Sequence, residues 1–249
     1  MTGTLESTPG RRGRARWAIA FSALCVALVG VIAVSMAGAQ QAKVLGKTRH
    51  TPAPNCPKNC EGIGSVTGFP LRANGKKQPM KVHANGRLVA WAIDLSKPKK
   101  SQRNFFGSLF KSEQYGKTPT ARIAVIKHRK RTKSKYRLLR QSPVVKLSSY
   151  LGRKQVFTLD RPLKVRNGQI VALTVPTWAS NFASGIGRRG NRWRASRSRR
   201  HCSPKSDSMQ DVRAFARASR PQQKVGSTRG YGCDYTSARL LYWAYFVRG

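Results

Sequence analysis

Ser108 and Lys111 form a serine-x-x-lysine motif, which is the spacing of the nucleophilic serine and its lysine in penicillin-binding proteins. Such enzymes also carry S-D-N and K-T-G motifs, and neither occurs in this chain. Lysine and arginine make up 49 of the 249 residues, so a serine three residues before a lysine arises readily by chance. The motif therefore does not predict acyl-transfer chemistry.

Four cysteines follow the N-terminal apolar segment, and they suggest a reactive thiol, a metal site or disulfides. Cys233 with His201 offers a thiol and a base, but Cys202, next to that histidine, is the natural disulfide partner of Cys233. A zinc site is disfavoured because the C-x3-C spacing of Cys56 and Cys60 is poor for converging ligands. An even number of cysteines in an oxidising compartment predicts two disulfides, and three pairings are possible. We expect Cys56–Cys60 and Cys202–Cys233.

The remaining titratable residues offer no clear catalytic set. The four histidines are scattered, without the H-E-x-x-H spacing of a metal site. Asp207 and Asp211 are neighbours suited to a glycosidase pair, but they also suit capping of the amphipathic segment DVRAFARA. The sequence predicts no catalytic residue, no metal and no cofactor. A hydrolase acting on envelope polysaccharide stays open as an alternative.

Two segments concentrate positive charge: KHRKRTKSK at 127–135 and RRGNRWRASRSRR at 188–200, the latter with seven arginines. The first joins two predicted strands and is therefore expected at a hairpin tip, while the second lies in a long loop. Dense cations with an interleaved tryptophan suit a polyanion. The predicted contact residues are Lys127, Arg129, Lys130, Arg131, Arg188, Arg189, Arg192, Trp193, Arg194, Arg197, Arg199 and Arg200.

The net charge of +41 limits the kinds of partner that the chain can have. A nucleic acid or an acidic envelope polymer fits this charge. The alternative is that the basic surface binds no partner and only keeps an exported protein soluble. A carbohydrate-binding module that uses aromatic faces such as Trp178 and Trp193 is a further alternative. We expect a non-enzymatic binding or envelope-associated module.

The N-terminus predicts export. Residues 17–39 carry no charge and follow four arginines within residues 11–16, which is typical of a secretory signal or a membrane anchor. Ala37-Gly38-Ala39 suits cleavage by signal peptidase, and without cleavage the segment would hold the protein in the membrane. The predicted organisation is a basic cytoplasmic region at 1–16, this segment, a polar tether at 40–60, and an extracytoplasmic domain at 61–249.

The elements that must carry these residues are strands. The stretch GRLVAWAIDL alternates between two faces, with Val89, Trp91, Ile93 and Leu95 on one and Leu88, Ala90, Ala92 and Asp94 on the other. Further strands are predicted at 121–127, at YRLLR and VVKL within 136–147, and at 155–159, 162–165, 169–175 and 238–247. Asn85-Gly86 and Asn167-Gly168 predict two-residue hairpins, because both positions accept a positive φ. The predicted fold is an all-β antiparallel sandwich of jelly-roll or Greek-key type.

Two long insertions, 97–119 and 179–236, interrupt the predicted strands, and only short helical turns are expected in them. The first contains FFGSLF at 105–110, which favours local packing over contact with a membrane.

Several stretches together, ARIAVIK, YRLLRQSPVVKLSSYLG, RPLKVRNGQIVALTVPTWA, NRWRASR and YGCDYTSARLLYWAYF, resemble a group of secreted bacterial proteins without an assigned activity. The resemblance covers about residues 80–247. It implies a β-sandwich of jelly-roll type and brings no catalytic residue with it.

Overall fold

The computed structural model describes residues 42–55 and 63–249. They form mostly antiparallel β-structure with two helices, α1 (Lys100–Leu109) and α2 (Met209–Ala218), and 3₁₀ turns at Ser148–Tyr150 and Arg199–His201. The strands are β1 (Lys43–Leu45), β2 (Ile63–Ala73), β3 (Lys76–Lys77), β4 (Gly86–Asp94), β5 (Thr120–His128), β6 (Lys135–Gln141), β7 (Val145–Lys146), β8 (Lys154–Val165), β9 (Ile170–Ala179), β10 (Phe182–Ser184), β11 (Arg192–Ala195), β12 (Thr228–Gly230), β13 (Cys233–Thr236), β14 (Ala238–Leu240) and β15 (Tyr242–Arg248).

Two principal sheets and one small one are formed. The four-stranded sheet has the order β1-β15-β4-β8. The nine-stranded sheet has the order β12-β6-β5-β9-β2-β11-β13, with β3 beside β2 and β7 beside β5, and β10 pairs with β14 separately. Residues from both principal sheets meet in a single apolar core, among them Trp91 and Phe246 of the smaller sheet and Val125 and Leu173 of the larger.

The alternation predicted for 238–247 is confirmed. Leu240, Tyr242, Ala244 and Phe246 join the main core, whereas Leu241 and Trp243 join a second apolar cluster on the opposite face. Both faces are buried, which explains why the run contains no charged residue after Arg239 until Arg248.

The face predicted for β4 is wrong at two positions, Leu88 and Val89. The register shifts between Leu88 and Ala90, so Leu88 packs in the core with Trp91 and Ile93, and Val89 does not. A bulge inserts an unpaired residue and moves the following side chains to the other face. On the partner strand the same irregularity falls at 159–162, where the sequence suggested two separate strands instead of the continuous β8.

Both Asn-Gly turns connect sheets and do not close hairpins, contrary to the prediction. The turn at Asn167-Gly168 leads from β8 in the four-stranded sheet to β9 in the nine-stranded sheet, and Gly168 has a φ of +80°. Asn85-Gly86 leads into β4, and the Asn167 N–H donates to Asn85 Oδ1 at 3.1 Å. Of the four residues in these two turns, only Gly168 has the expected positive φ. A local turn also does not decide which strand lies alongside.

The insertions contain full helices where only short turns were expected. Helix α1 places Phe106 and Phe110 against Trp178 of β9, together with Ala216 of α2. The predicted local packing of the phenylalanine-rich segment is therefore confirmed. Helix α2 begins at the N-cap Ser208, whose Oγ accepts a hydrogen bond from the Asp211 N–H at 3.2 Å.

The predicted export segment at 17–39 and the predicted Cys56–Cys60 pair lie outside the described residues. Among the residues that are described, no helix has the length and apolar character needed to cross a bilayer. The Cys202–Cys233 disulfide is confirmed, with a Cα–Cα distance of 5.2 Å.

Candidate functional site

Four connections meet at one end of the nine-stranded sheet. In its registers, Ile126 of β5 faces Ile170 of β9, and Gly68 of β2 faces Leu173. Arg192 of β11 faces Arg72 of β2. The same end of the sheet therefore carries four connections: the β5–β6 tip, the turn before β9, the β2–β3 turn and the loop before β11.

The exposed cations of these connections form a surface that we call the basic rim. It brings together the tip segment 127–135 and the first part of segment 188–200, which are far apart in sequence. The rim comprises Arg72, Lys76, Lys77, Lys127, Arg129, Lys130, Arg131, Lys133, Lys135, Arg166, Arg188 and Arg189.

The two predicted basic segments are close in the sheet. Strands β5 and β11 are separated by β9 and β2, which amounts to three strand spacings, or about 14 Å. The lysines and arginines of the β2–β3 turn and Arg166 lie between them. A rim of this width suits an extended polymer that carries repeated negative charges.

The rim loops are held mainly by hydrogen bonds of the backbone. Few of the rim side chains take part. The Gly75 N–H donates to Gly190 O at 2.9 Å, and the Asn74 N–H donates to Asn191 Oδ1 at 3.0 Å. At the tip, the Arg129 N–H donates to Lys135 O at 2.9 Å, and the Thr132 hydroxyl donates to Arg129 O. Most of the cationic side chains are thus left available to a ligand.

Acidic residues of the described chain do not neutralise the rim. The ion pairs among the described residues join Asp234 of β13 to Arg192 and Arg194 of β11, and neither arginine belongs to the rim. Although partial burial alone would raise the pKa of Asp234, hydrogen bonds from Arg194 and Arg192 hold that pKa below its ordinary value. The hydrogen bond to Asp234 correspondingly raises the pKa of Arg194.

The middle of the predicted basic loop forms strand β11, and side chains in this strand and just after it make structural contacts. Trp193 is only 5% exposed and stacks on Tyr235 with ring centroids 4.5 Å apart. Arg197 is also buried, and its guanidinium donates to Tyr235 Oη at 2.7 Å and to Gly64 O at 3.1 Å. The structure thus corrects the prediction that Trp193, Arg194 and Arg197 stand in an exposed binding loop.

Arg199 and Arg200 are exposed, but they do not belong to the rim. They lie in the 3₁₀ turn that follows the opposite end of β11, next to the Cys202–Cys233 disulfide. The predicted set of contact residues is therefore divided among the rim, the sheet and a separate turn.

Within the part of the chain that the structure describes, the other sequence candidates lie beside no group that would complete a catalytic set. His201 Nδ1 lies 2.7 Å from Ser198 Oγ, while its neighbour Cys202 is consumed by the disulfide. Asp94 has a raised pKa because burial outweighs the attraction of Lys154, but no described carboxylate pairs with it. No group of three or more His, Cys, Asp or Glu suited to a metal occurs in the described residues.

The aromatic faces proposed for sugar stacking are buried. Trp178 is 1% exposed, and its Nε1–H donates to Lys117 O at 2.8 Å. Trp193 is buried as described above. Neither ring is open to a glycan.

No protein-family model, curated protein or solved structure matches this chain.

Sequence reasoning missed the cations of the β2–β3 turn and Arg166. Lys76-Lys77 directly follows Asn74-Gly75, and Arg166 directly precedes Asn167-Gly168. Basic residues that flank turn dipeptides were the available signal, but the sequence does not show that these turns share one end of a sheet.

Proposed function

We propose that this protein is an exported, non-enzymatic module whose basic rim binds a polyanion, either a nucleic acid or an acidic envelope polymer. The observation that carries the proposal is the placement of segment 127–135 and of Arg188 and Arg189, which are far apart in sequence, at one end of one sheet. Between them the described residues add further cations and no carboxylate. Such an arrangement concentrates positive potential on one surface.

Binding at the rim would be driven by release of counterions from the polymer. Each phosphate neutralised by a lysine or arginine contributes about 0.9 to the slope of log affinity against log salt for duplex DNA. The exposed side chains carry charge without a fixed pattern of paired donors, so little sequence preference is expected. Strong salt dependence is the signature that separates this function from a neutral-glycan lectin.

The test compares two variants with the same change in net charge. The rim variant replaces Arg129, Lys130, Arg188 and Arg189 by glutamine, and all four side chains are exposed. The control variant makes the same replacement at four exposed positions on the two helices, which are Lys100, Arg103, Arg213 and Arg217.

Residues 40–249 and both variants would be titrated against a short DNA duplex, poly(glycerol phosphate) and dextran at several salt concentrations. We expect the rim variant to lose roughly tenfold or more in polyanion affinity, and its salt slope to fall by about three to four. The control should stay near the parent. Equal losses in both variants, or binding of dextran alone, would refute a binding role for the rim.

We further propose that the two principal sheets form a jelly-roll or Greek-key sandwich of the resembling secreted group. The shared core of the two sheets supports the sandwich, and the disulfide suits an oxidising, extracytoplasmic compartment. N-terminal sequencing of protein recovered from its host would test the export segment. A start at Gln40 indicates cleavage, an intact N-terminus in the membrane indicates an anchor, and full-length protein recovered from cytosol alone contradicts export.

A further inference from the structure

A large apolar groove lies between the two helices. Its volume is about 1020 Å³, and no rim residue lines it. This is at the upper end of the range of about 300–1,000 Å³ that is usual for small-molecule sites. Its walls come from α1 and α2, and β10, β11, β13 and β14 contribute to its floor.

The wall is largely aromatic and aliphatic. Phe105 and Phe106 of α1 face the groove, as do Val212 and Phe215 of α2. Phe105 and Met209 are 36% and 44% exposed, so two of the few large apolar side chains in solvent stand at this groove. Exposed apolar surface gathered at one concave site is typical of ligand binding.

A single buried cation stands in this apolar lining. Arg197 is 8% exposed, and its guanidinium lies 4.6 Å from the centre of the Phe215 ring. Its hydrogen bonds go to the neutral Tyr235 hydroxyl and the Gly64 carbonyl, and its Nε has no partner among the described residues. No described carboxylate forms an ion pair with it.

Among the described residues this guanidinium has only neutral partners, so its burial removes hydration and none of those residues supplies a counter-charge. An anion beside Arg197 would restore that balance, and an apolar chain on the same ligand would cover the exposed wall. Asp207 also borders the groove, but it is exposed, so solvent weakens its repulsion of an anion.

We propose that the groove binds a single-chain anionic amphiphile. The alkyl chain lies between α1 and α2, and the carboxylate or phosphate head lies beside Arg197. A free fatty acid and a single-chain phosphate ester share this chemistry, and the experiment distinguishes them. The inference is independent of polyanion binding at the rim.

The experiment is calorimetric titration of residues 40–249 with four probes below their micelle-forming concentrations: palmitate, hexadecyl phosphate, hexadecanol and butyrate. We expect palmitate or hexadecyl phosphate to bind roughly tenfold or more tightly than hexadecanol, since charge-assisted hydrogen bonds are the stronger kind. Butyrate, which lacks the long chain, should not bind measurably. The stronger of the two anions identifies the head group.

Three substitutions localise the site. Arg197→Met keeps a long apolar side chain and should remove the preference for the anions over hexadecanol. Met209→Glu puts a carboxylate at the first residue of α2, a position that favours acidic residues, and should weaken binding of the stronger of the two anions about tenfold. Val225→Glu makes the same change in charge at an exposed apolar residue outside the groove and is the matched control.

The outcomes separate cleanly. Absence of amphiphile binding, affinities for both palmitate and hexadecyl phosphate no higher than that for hexadecanol, or equal effects of Met209→Glu and Val225→Glu would each overturn the proposal. If Arg197→Met does not fold, the comparison of the two glutamate variants decides. The rim variant should bind palmitate as the parent does, so failure of the polyanion proposal leaves this result unaffected.

Discussion

Removal of the Cys202–Cys233 disulfide should destabilise the domain strongly. The bridge joins residues 31 apart, and the loop that it closes contains α2. In the chain-entropy model, a loop of this length restricts the unfolded chain by about 3.7 kcal/mol at 25 °C. That is a large fraction of the roughly 5–15 kcal/mol by which a folded domain is usually stable.

The native contacts around the bridge do not replace this effect. The Tyr235 hydroxyl donates to Cys202 O at 2.6 Å, and the Gly232 N–H donates to Arg197 O at 2.7 Å. These hydrogen bonds hold the folded geometry, but they are absent from the unfolded chain and cannot limit its entropy. The double variant Cys202→Ala/Cys233→Ala should therefore fold to a similar structure that is less stable.

The assay is urea unfolding followed by far-UV circular dichroism and tryptophan fluorescence. With a slope of about 2.5 kcal/mol/M, the loss corresponds to a midpoint lower by about 1.5 M. The parent with its disulfide reduced should unfold near the same midpoint as the double variant. A loss below about 1 kcal/mol would refute the reasoning, because it would show that the bridge does little to restrict the unfolded chain.

Three further predictions concern single residues. Asp234→Asn should lower the free energy of unfolding at a pH above the ordinary carboxylate pKa, because hydrogen bonds from two arginines depress the pKa of Asp234 in the folded state. The stabilisation by Asp234 should be lost as the pH falls through this folded-state pKa, and an equal stability difference between variant and parent at every pH would contradict this. Gly64→Ala should lower the free energy of unfolding by about 1–3 kcal/mol, measured by thermal or urea unfolding, because a Cβ there would overlap the Phe110 ring. An unchanged stability would show that the segment carrying Phe110 shifts freely. Arg239→Met should speed hydrogen exchange and proteolysis in segment 46–50, because the buried Arg239 guanidinium donates to the Gly46 and His50 carbonyls. Unchanged protection would show that other contacts hold this segment on the domain.

Period-two hydrophobicity was enough to predict strands β5, β9 and β15, because the alternation is a property of each strand alone. The assignment of Leu240, Tyr242, Ala244 and Phe246 to one face follows from the same rule. The disulfide between Cys202 and Cys233 was also predictable, because the close spacing of Cys56 and Cys60 suits one pair and leaves Cys202 and Cys233 for the other.

Strand β2 could not be predicted in this way. Its sequence IGSVTGFPLRA contains two glycines, a serine and a proline, which are unfavourable for a strand taken alone. It forms because β9 and β11 lie on either side of it, and Trp193 packs over Gly68, where a larger residue would collide. Tertiary pairing here outweighs local preference.

The sequence by itself therefore determined a basic, mostly β domain with two clusters of cations. Only the tertiary structure decided which of those cations are available. Arg194 and Arg197 read as loop charges, but their surroundings come from Asp234, Tyr235 and Gly64, which are 38 to 133 residues away. The charge of a side chain is local, whereas its burial and its partners depend on which strands the fold places beside it, and this pairing also gathers the rim at one end of the sheet.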